Sequence, residues 1–256
     1  MSDRAPAIGV VGVGAMGGAF AAGLARHHAV VVFDHLPGRA EEVAGAIGAR
    51  AGDAAVCDIV VLAVKPQDMQ ATMESVVPRM RAGAILASVA AGWTIERLAA
   101  AAPNRPVVRL MPNLAVAHGD GVVAMATSGL DAAGAAGVRD LLVPLGAVVI
   151  IDESLFDVAT AIAGSGPGFL AYVAKALENA GADAGLPRAD ARAMVQAVLS
   201  GTASLLADGG DPASLQARVT SPGGTTAAGV SALDARGVSD ALGDAVRAAS
   251  ARAAEL

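Results

Sequence analysis

Over the first 152 residues, apolar positions fall in short solid runs; beyond them they fall in longer helical stretches. Ile8 to Val13, Ala29 to Phe33, Asp58 to Val64, Ala84 to Ala90 and Pro106 to Met111 are of strand length and closed by Gly, Pro or a polar residue. Solid rather than alternating runs suit strands covered on both faces. Between them lie segments that predict helices: Ala15 to His27, Arg39 to about Ile47, Gln67 to about Met80, and a short one that Thr94 can cap. Val122 to Ala126 and Ala147 to Ile151 add two strands around an alanine-rich helix near Asp131 to Val143. This alternation predicts an α/β domain over residues 1–152, a parallel, doubly wound sheet. From Glu153 to Leu256 no strand run appears. Helical segments there are separated at Gly164-Ser-Gly-Pro-Gly168, Gly185-Leu-Pro187, Asp208-Gly-Gly-Asp-Pro212 and Ser221-Pro-Gly-Gly224, which predicts an all-α domain over 153–256. Pro187 and Pro212 stand at helix starts, Pro212 behind the capping residue Asp211.

Composition narrows the class. The chain has 256 residues, 54% hydrophobic but only 2% aromatic, so its core is built from Ala, Val and Leu. A net charge of −6 without any basic cluster argues against a nucleic-acid surface. The opening Met1-Ser-Asp-Arg-Ala-Pro6 lacks the shape of a signal peptide, and no uninterrupted apolar stretch has the length of a membrane span. A single cysteine, Cys57, excludes an intrachain disulfide and suits a reducing cytosol.

The first chemical signal is Gly12-x-Gly14-x-x-Gly17, standing between a strand and a helix. The first glycine permits the turn, the second lets a pyrophosphate approach the backbone, and the third lets helix pack against strand. The helix start, with Ala15 and Met16, offers free N–H groups and a positive dipole end to phosphates. Asp34 ends the second strand 22 residues beyond Gly12, close to the spacing of a ribose-binding carboxylate. Dinucleotide binding follows from strand, turn, helix and acid together. The acid favours NADH over NADPH, with Arg39 and Arg50 placed to offset its repulsion of a 2′-phosphate. Ligands of such sheets bind outside the carboxyl ends of the strands. That adds Ala63, Val64, Lys65 and Pro66, then Ala90, Ala91 and Gly92, then Met111, Pro112 and Asn113 as cofactor-side candidates. Lys65 either meets a ribose or phosphate or is a solvated loop lysine. Asn113 either bonds a ligand or makes the turn after Pro112.

The second signal is Thr220-Ser-Pro-Gly-Gly-Thr-Thr226 ahead of a helical run. Ser221 fits an N-cap with Pro222 at the first helical position, which leaves Gly223 and Gly224 in the first turn. Glycines there are costly to a helix and leave its N–H groups open. Such an end can hold a carboxylate, assisted by the hydroxyls of Ser221, Thr225 or Thr226; an ordinary capped helix is the plainer alternative. His27, His28, His35 and His118 show no metal spacing and read as surface residues, and Cys57 reads as core. No pair serves as acid and base for alcohol oxidation. A protonated imine relaxes that need, because hydride transfer to it chiefly requires orientation.

These residues resemble the pyrroline-5-carboxylate reductase family. The resemblance rests on Gly12-x-Gly14-x-Met16-Gly17, Leu62-Ala-Val-Lys-Pro66, Ser88-Val-Ala-Ala-Gly92, Arg109-x-Met-Pro-Asn113, Gly164-Ser-Gly-Pro167, Gly185-Leu-Pro-Arg188 and Val219-Thr-Ser-Pro-Gly-Gly-Thr-Thr226. It implies an N-terminal Rossmann-type domain and a helical C-terminal domain through which subunits pair as a dimer, assembled further into rings. It implies hydride transfer from NAD(P)H to the C=N bond of L-1-pyrroline-5-carboxylate, giving L-proline in the cytoplasm, without membrane, nucleic acid or metal. By position, Ser221, Gly223, Gly224, Thr225 and Thr226 would hold the substrate, with the Thr226 hydroxyl near the ring nitrogen. Leu114-Ala115 stands where the family has Thr-Pro, and Gly168 follows Pro167 where it has Ala. Of two rivals, a β-hydroxyacid dehydrogenase is disfavoured because Leu170 stands where its lysine belongs and Lys175 is rotated away. A non-catalytic dinucleotide sensor is disfavoured by the intact Ser-Pro-Gly-Gly-Thr-Thr block.

Overall fold

A computed structural model describes residues 5–207 and 210–256; the opening Met1-Ser-Asp-Arg4 and the Asp208-Gly209 part of one predicted turn lie outside them. Strands β1 (Ile8–Val11), β2 (Val30–Phe33), β3 (Arg50–Ala51), β4 (Ile59–Leu62), β5 (Ile85–Ser88), β6 (Val107–Pro112), β7 (Gly121–Ser128) and β8 (Gly146–Ile150) form one sheet in the order β3-β2-β1-β4-β5-β6-β7-β8. Helices α1 (Ala15–Ala25), α2 (Arg39–Ile47), α3 (Met69–Val76), α4 (Ile95–Ala101) and α5 (Ala132–Leu142) alternate with the strands.

β1, β4 and β6 are buried along their whole length, as solid apolar runs require. Successive side chains point to opposite faces, so β1 feeds two cores. Ile8 and Val10 join Phe20, Leu24 and Leu145 on one face, and Val11 joins Leu62, Met69 and Leu86 on the other. The chain leaves β1 toward β2 and returns on the other side at β4, so the strand order reverses there and a crevice opens at their carboxyl ends.

The sheet departs from the all-parallel prediction at one junction, because β7 runs antiparallel to β6. The connection 113–120 holds only a 3₁₀ turn, Leu114–His118, too short for the crossover that a parallel neighbour demands. β8 then pairs parallel to β7 through α5. The two-residue β3 pairs at the edge of β2 and carries no apolar run that could have announced it.

Past β8 the described chain is helical, with α6 (Phe156–Ala159), α7 (Gly166–Asp183), α8 (Arg188–Ala207), α9 (Pro212–Val219), α10 (Thr225–Ala235) and α11 (Val238–Ala254). Asp211 caps α9 as expected, its carboxylate accepting the Ser214 N–H at 2.9 Å. The expected turn at Gly164–Gly168 is instead helical. A π-helical turn spans Thr160–Gly164, and α7 begins at Gly166 with Pro167 in its first turn, where a missing N–H breaks no helical bond. Chain contacts define two compact units, residues 5–165 with 249–256, and residues 166–248. The helical segment 153–165 thus groups with the sheet. In the second unit α8 presents Met194 and Val198 to the surface, and α7 presents Leu170 and Tyr172, the last 77% exposed.

Candidate functional site

The glycine turn divides its labour among three positions. Gly12 has φ +89, and a Cβ there would lie 2.8 Å from Cγ1 of Val64. A Cβ on Gly17 would overlap the carbonyl oxygen of Gly12 and lie 2.9 Å from Cβ of Ala63, so α1 meets the sheet only through a glycine. Gly14 differs. It caps α1 with φ −67 and ψ −161, which any residue adopts, and a Cβ there would meet no protein atom within 4 Å. Protein packing therefore demands the first and third glycines but not the second. Gly14 lines a cleft of about 700 Å³ at the carboxyl ends of β1, β2 and β4, together with Gly12, Asp34, Ala63, Val64 and Lys65. Six of the predicted residues thus wall one cavity. The first main-chain bond of α1 runs from the Gly18 N–H to the Gly14 carbonyl at 2.8 Å, so the amides of Ala15, Met16 and Gly17 have no helical acceptor. A bare backbone at Gly14 beside free N–H groups fits a pyrophosphate.

Asp34 stands in that cleft with its side chain 8% exposed. Its carboxylate accepts the Val13 N–H at 2.8 Å and the Leu36 N–H at 3.0 Å. The acid therefore ties the end of β2 to the glycine turn. A carboxylate accepts about four hydrogen bonds, so capacity remains for a ribose beside these two amides and the exposed His35 ring, 3.4 Å from Oδ1. Of the cations weighed against it, Arg39 bonds Glu42 at 2.9 Å. Arg79, which the sequence reading passed over, lines the cleft from beyond α3 and donates to Asp53 at 2.9 Å.

The neighbouring strand ends are built as a connected frame. Lys65 is exposed and leads into a 3₁₀ turn, Pro66–Asp68. Ala90 and Ala91 follow β5, the Ala90 N–H bonding the buried Ser88 hydroxyl at 3.1 Å. Gly92 has φ +74, and a Cβ there would run into the main chain of Leu256. Thr94 caps α4 through the Arg97 N–H, as predicted. Met111, Pro112 and Asn113 are buried at the end of β6. The Asn113 amide is engaged at both ends: its oxygen accepts the Ala115 N–H and its nitrogen donates to the Ala163 carbonyl, each at 3.1 Å. Asn113 makes the turn after Pro112 and also grips the π-helical turn. Leu114, at the departure from the family pattern, is 59% exposed.

Arg109 lies inside β6 and is 5% exposed. It donates to Glu153 at 2.9 Å and stacks over Phe156 at 4.3 Å; its Nε has no partner among the described residues. Glu153 also accepts the Ile95 N–H at 2.7 Å and so closes the start of α4. A charge within an apolar strand was the available signal for this pair, since a buried cation needs a partner.

In the second unit the helix begins later than the Ser221 cap predicted. Ser221 to Gly224 forms a type II turn closed by the Gly224 N–H on the Ser221 carbonyl at 3.0 Å, with Pro222 and Gly223 (φ +69) at its corner. Gly224 is the N-cap, and α10 starts at Thr225. The Pro-Gly pair satisfies the turn better than it satisfies a helical first turn. The first bond of α10 joins the Ala228 N–H to the Gly224 carbonyl at 3.1 Å, which leaves the amides of Thr225, Thr226 and Ala227 without helical acceptors. A Cβ on Gly224 would collide with the Ser221 hydroxyl, which folds over it.

Away from these sites, His27, His35 and His118 are exposed. His28 bonds the Leu141 carbonyl at 2.9 Å. Cys57 is buried, and burial with the neighbouring Asp58 charge pushes its thiol up. Among the described residues no group of ligating side chains can hold a metal, and no helix is long and apolar enough to cross a membrane.

Two family models match the chain. Residues 153–256 match pyrroline-5-carboxylate reductase dimerisation, and residues 7–92 match NADP oxidoreductase, coenzyme F420-dependent. A pyrroline-5-carboxylate reductase from Thermus thermophilus is 39% identical over 256 residues, 96% of this chain and 97% of that one. The chain belongs to the pyrroline-5-carboxylate reductase family. The solved 1-pyrroline-5-carboxylate reductase of Streptococcus pyogenes superposes with a TM-score of 0.81 at 30% identity, covering 98% of this chain and 99% of that one. The pyrroline carboxylate reductase of Plasmodium falciparum, solved with NADP bound, gives 0.84 at 26% identity, covering 98% and 97%. The match of the helical half to a dimerisation model supports self-association of the chain.

Proposed function

We propose that the chain reduces L-1-pyrroline-5-carboxylate to L-proline with a nicotinamide dinucleotide. The observation that carries the reading is Gly14: a glycine that protein packing does not require, on the wall of a cleft at the strand-order reversal. Gly12, Ala15, Met16 and Gly17 shape the turn that would hold the pyrophosphate, and Asp34 would take the ribose, which favours NADH. When bound, the dinucleotide supplies the hydride. The amides of Thr225, Thr226 and Ala227 would hold the substrate carboxylate at the positive end of α10, with Ser221, Gly223 and Gly224 forming the turn beneath. That charge is the same in substrate and transition state, so this hold is largely uniform binding. The Thr226 hydroxyl would donate to the ring nitrogen. As the iminium loses its charge the nitrogen gains a lone pair, so a donor there helps increasingly along the reaction. Lys65 and Asn113 frame the cofactor side. We place the enzyme in a reducing cytosol on its single, buried cysteine, and assign it as a homodimer that assembles further into rings. Light scattering tests the assembly, and a monodisperse monomer would contradict it. Oxidation of NADH and NADPH by pyrroline-5-carboxylate, against a panel of 2-keto and 3-keto acids, tests the reaction. Turnover of the imine alone separates this reading from a hydroxyacid dehydrogenase, and no turnover at all would leave a sensor.

A further inference from the structure

The loops that follow β4 and β5 lie side by side, since their strands pair with Leu62 opposite Ser88. One side chain joins them. The indole N–H of Trp93 donates to the Pro66 carbonyl at 3.1 Å, and the side chain is almost wholly buried. That carbonyl also accepts the Met69 N–H, so the indole is attached to a closed 3₁₀ turn rather than to a free strand end. The ring is held from its other side as well. The guanidinium of Arg97 lies 4.1 Å from the ring centroid and donates to the Gly92 carbonyl at 3.1 Å. Ala90 is fastened to Ser88 and Ile95 to Glu153. The stretch Ala90–Thr94 is therefore fixed at each end, and its only side-chain bond to the Lys65-Pro66 loop, among the described residues, is the indole.

We infer that Trp93 is a positioning residue for the dinucleotide, setting the distance between the Lys65-Pro66 loop and the Ala90–Gly92 loop. This rests on the reading that both loops flank the cofactor. A pleated sheet fixes its strands but not the loops beyond them, and the indole bond extends the register of β4 and β5 past their ends. Because Trp93 is the only tryptophan of the chain, its emission also reports on this junction.

The test is Trp93→Phe, which keeps an aromatic body beneath Arg97 and removes the N–H. Calorimetric titration of the full chain with NAD⁺ and NADP⁺ should give affinities about two- to tenfold weaker, the worth of one net hydrogen bond, and the melting temperature should fall by about 2–8 °C, because the smaller ring also leaves a cavity at a buried site. Val138→Ala, a core truncation on α5, should lower the melting temperature and leave both affinities unchanged, which separates positioning from general destabilisation. If Trp93→Phe folds and binds both dinucleotides as the wild type does, the inference falls and the functional reading stands. If the variant does not fold, the wild type decides: a saturable change in tryptophan emission on adding NADP⁺ or NAD⁺, at the calorimetric affinity, supports the inference, and a flat titration overturns it. A wild type that binds neither dinucleotide would overturn both.

Discussion

Replacing Gly14 by alanine should damage binding while sparing the fold, and replacing Gly17 should do the reverse. At Gly14 the backbone angles suit alanine and the new methyl meets no protein atom within 4 Å. Alanine is the poorer cap by up to about 1 kcal/mol. Its stiffer unfolded chain returns about 0.4–1 kcal/mol. The net is close to zero, so the melting temperature should move by less than about 4 °C. The methyl would stand where a pyrophosphate must approach. Losing one hydrogen bond to a charged group costs about 1.5–3 kcal/mol, which is roughly 10- to 150-fold in dinucleotide affinity. At Gly17 a methyl would overlap the Gly12 carbonyl and press on Ala63, both parts of the packed sheet. Overpacking of that kind costs about 1–3 kcal/mol or more, and the melting temperature should fall by about 2–12 °C. Scanning calorimetry reads the first quantity and titration calorimetry the second. A Gly14→Ala protein that binds NADH and NADPH as tightly as the wild type would refute the reasoning, as would one that melts as early as Gly17→Ala.

Thr226→Ala should lower kcat by one to two orders of magnitude if the hydroxyl donates to the ring nitrogen, with a smaller change in KM; an unchanged kcat would remove it from the mechanism. Gly224→Ala should raise KM for pyrroline-5-carboxylate, and because its methyl collides with the Ser221 hydroxyl, adding Ser221→Ala should recover part of the loss; equal KM values in the single and double variants would show no such coupling. Asp34→Ser should shift preference toward NADPH while weakening both dinucleotides, since the carboxylate also holds the Val13 and Leu36 amides; a wild type that already prefers NADPH strongly would refute the ribose assignment. Burial keeps the Cys57 thiol protonated where the unfolded chain releases its proton, so its contribution is whole below the ordinary thiol range and is lost as pH rises from there through the raised value of the folded thiol. Cys57→Ala should therefore flatten the alkaline arm of a plot of melting temperature against pH; identical arms would refute this.

The fold was legible wherever one local signal sufficed. Solid apolar runs marked seven of the eight strands, and Thr94 and Asp211 announced their helices by capping. What escaped depended on partners distant in sequence. β3 exists only because Val31 and Val32 offer an edge. The reversal at β7 depends on the length of a connection and not on any residue in it. Gly164 to Gly168 looked like a break because two helix-disfavouring residue types cluster there, yet each occupies a helical position that tolerates it. At the site, glycine spacing identified the turn, but only the three-dimensional environment showed that Gly14 alone is free of packing demands. Asp34 was found for its charge, whereas its hold on the glycine turn needed the structure. Trp93 and Arg79 lie in no spacing pattern and become visible only through the atoms they meet, and Arg109, although it opens the Arg109-x-Met-Pro-Asn113 motif, shows its partner Glu153 only in the structure.

The most direct measurement follows the reaction itself. Purified protein, shown to be folded, is mixed with pyrroline-5-carboxylate and NADH or NADPH, and both the oxidation of the nicotinamide and the amount of L-proline are recorded. The account predicts proline formed in equal amount to the dinucleotide oxidised; a folded protein that oxidises neither cofactor, or oxidises one without making proline, would contradict it.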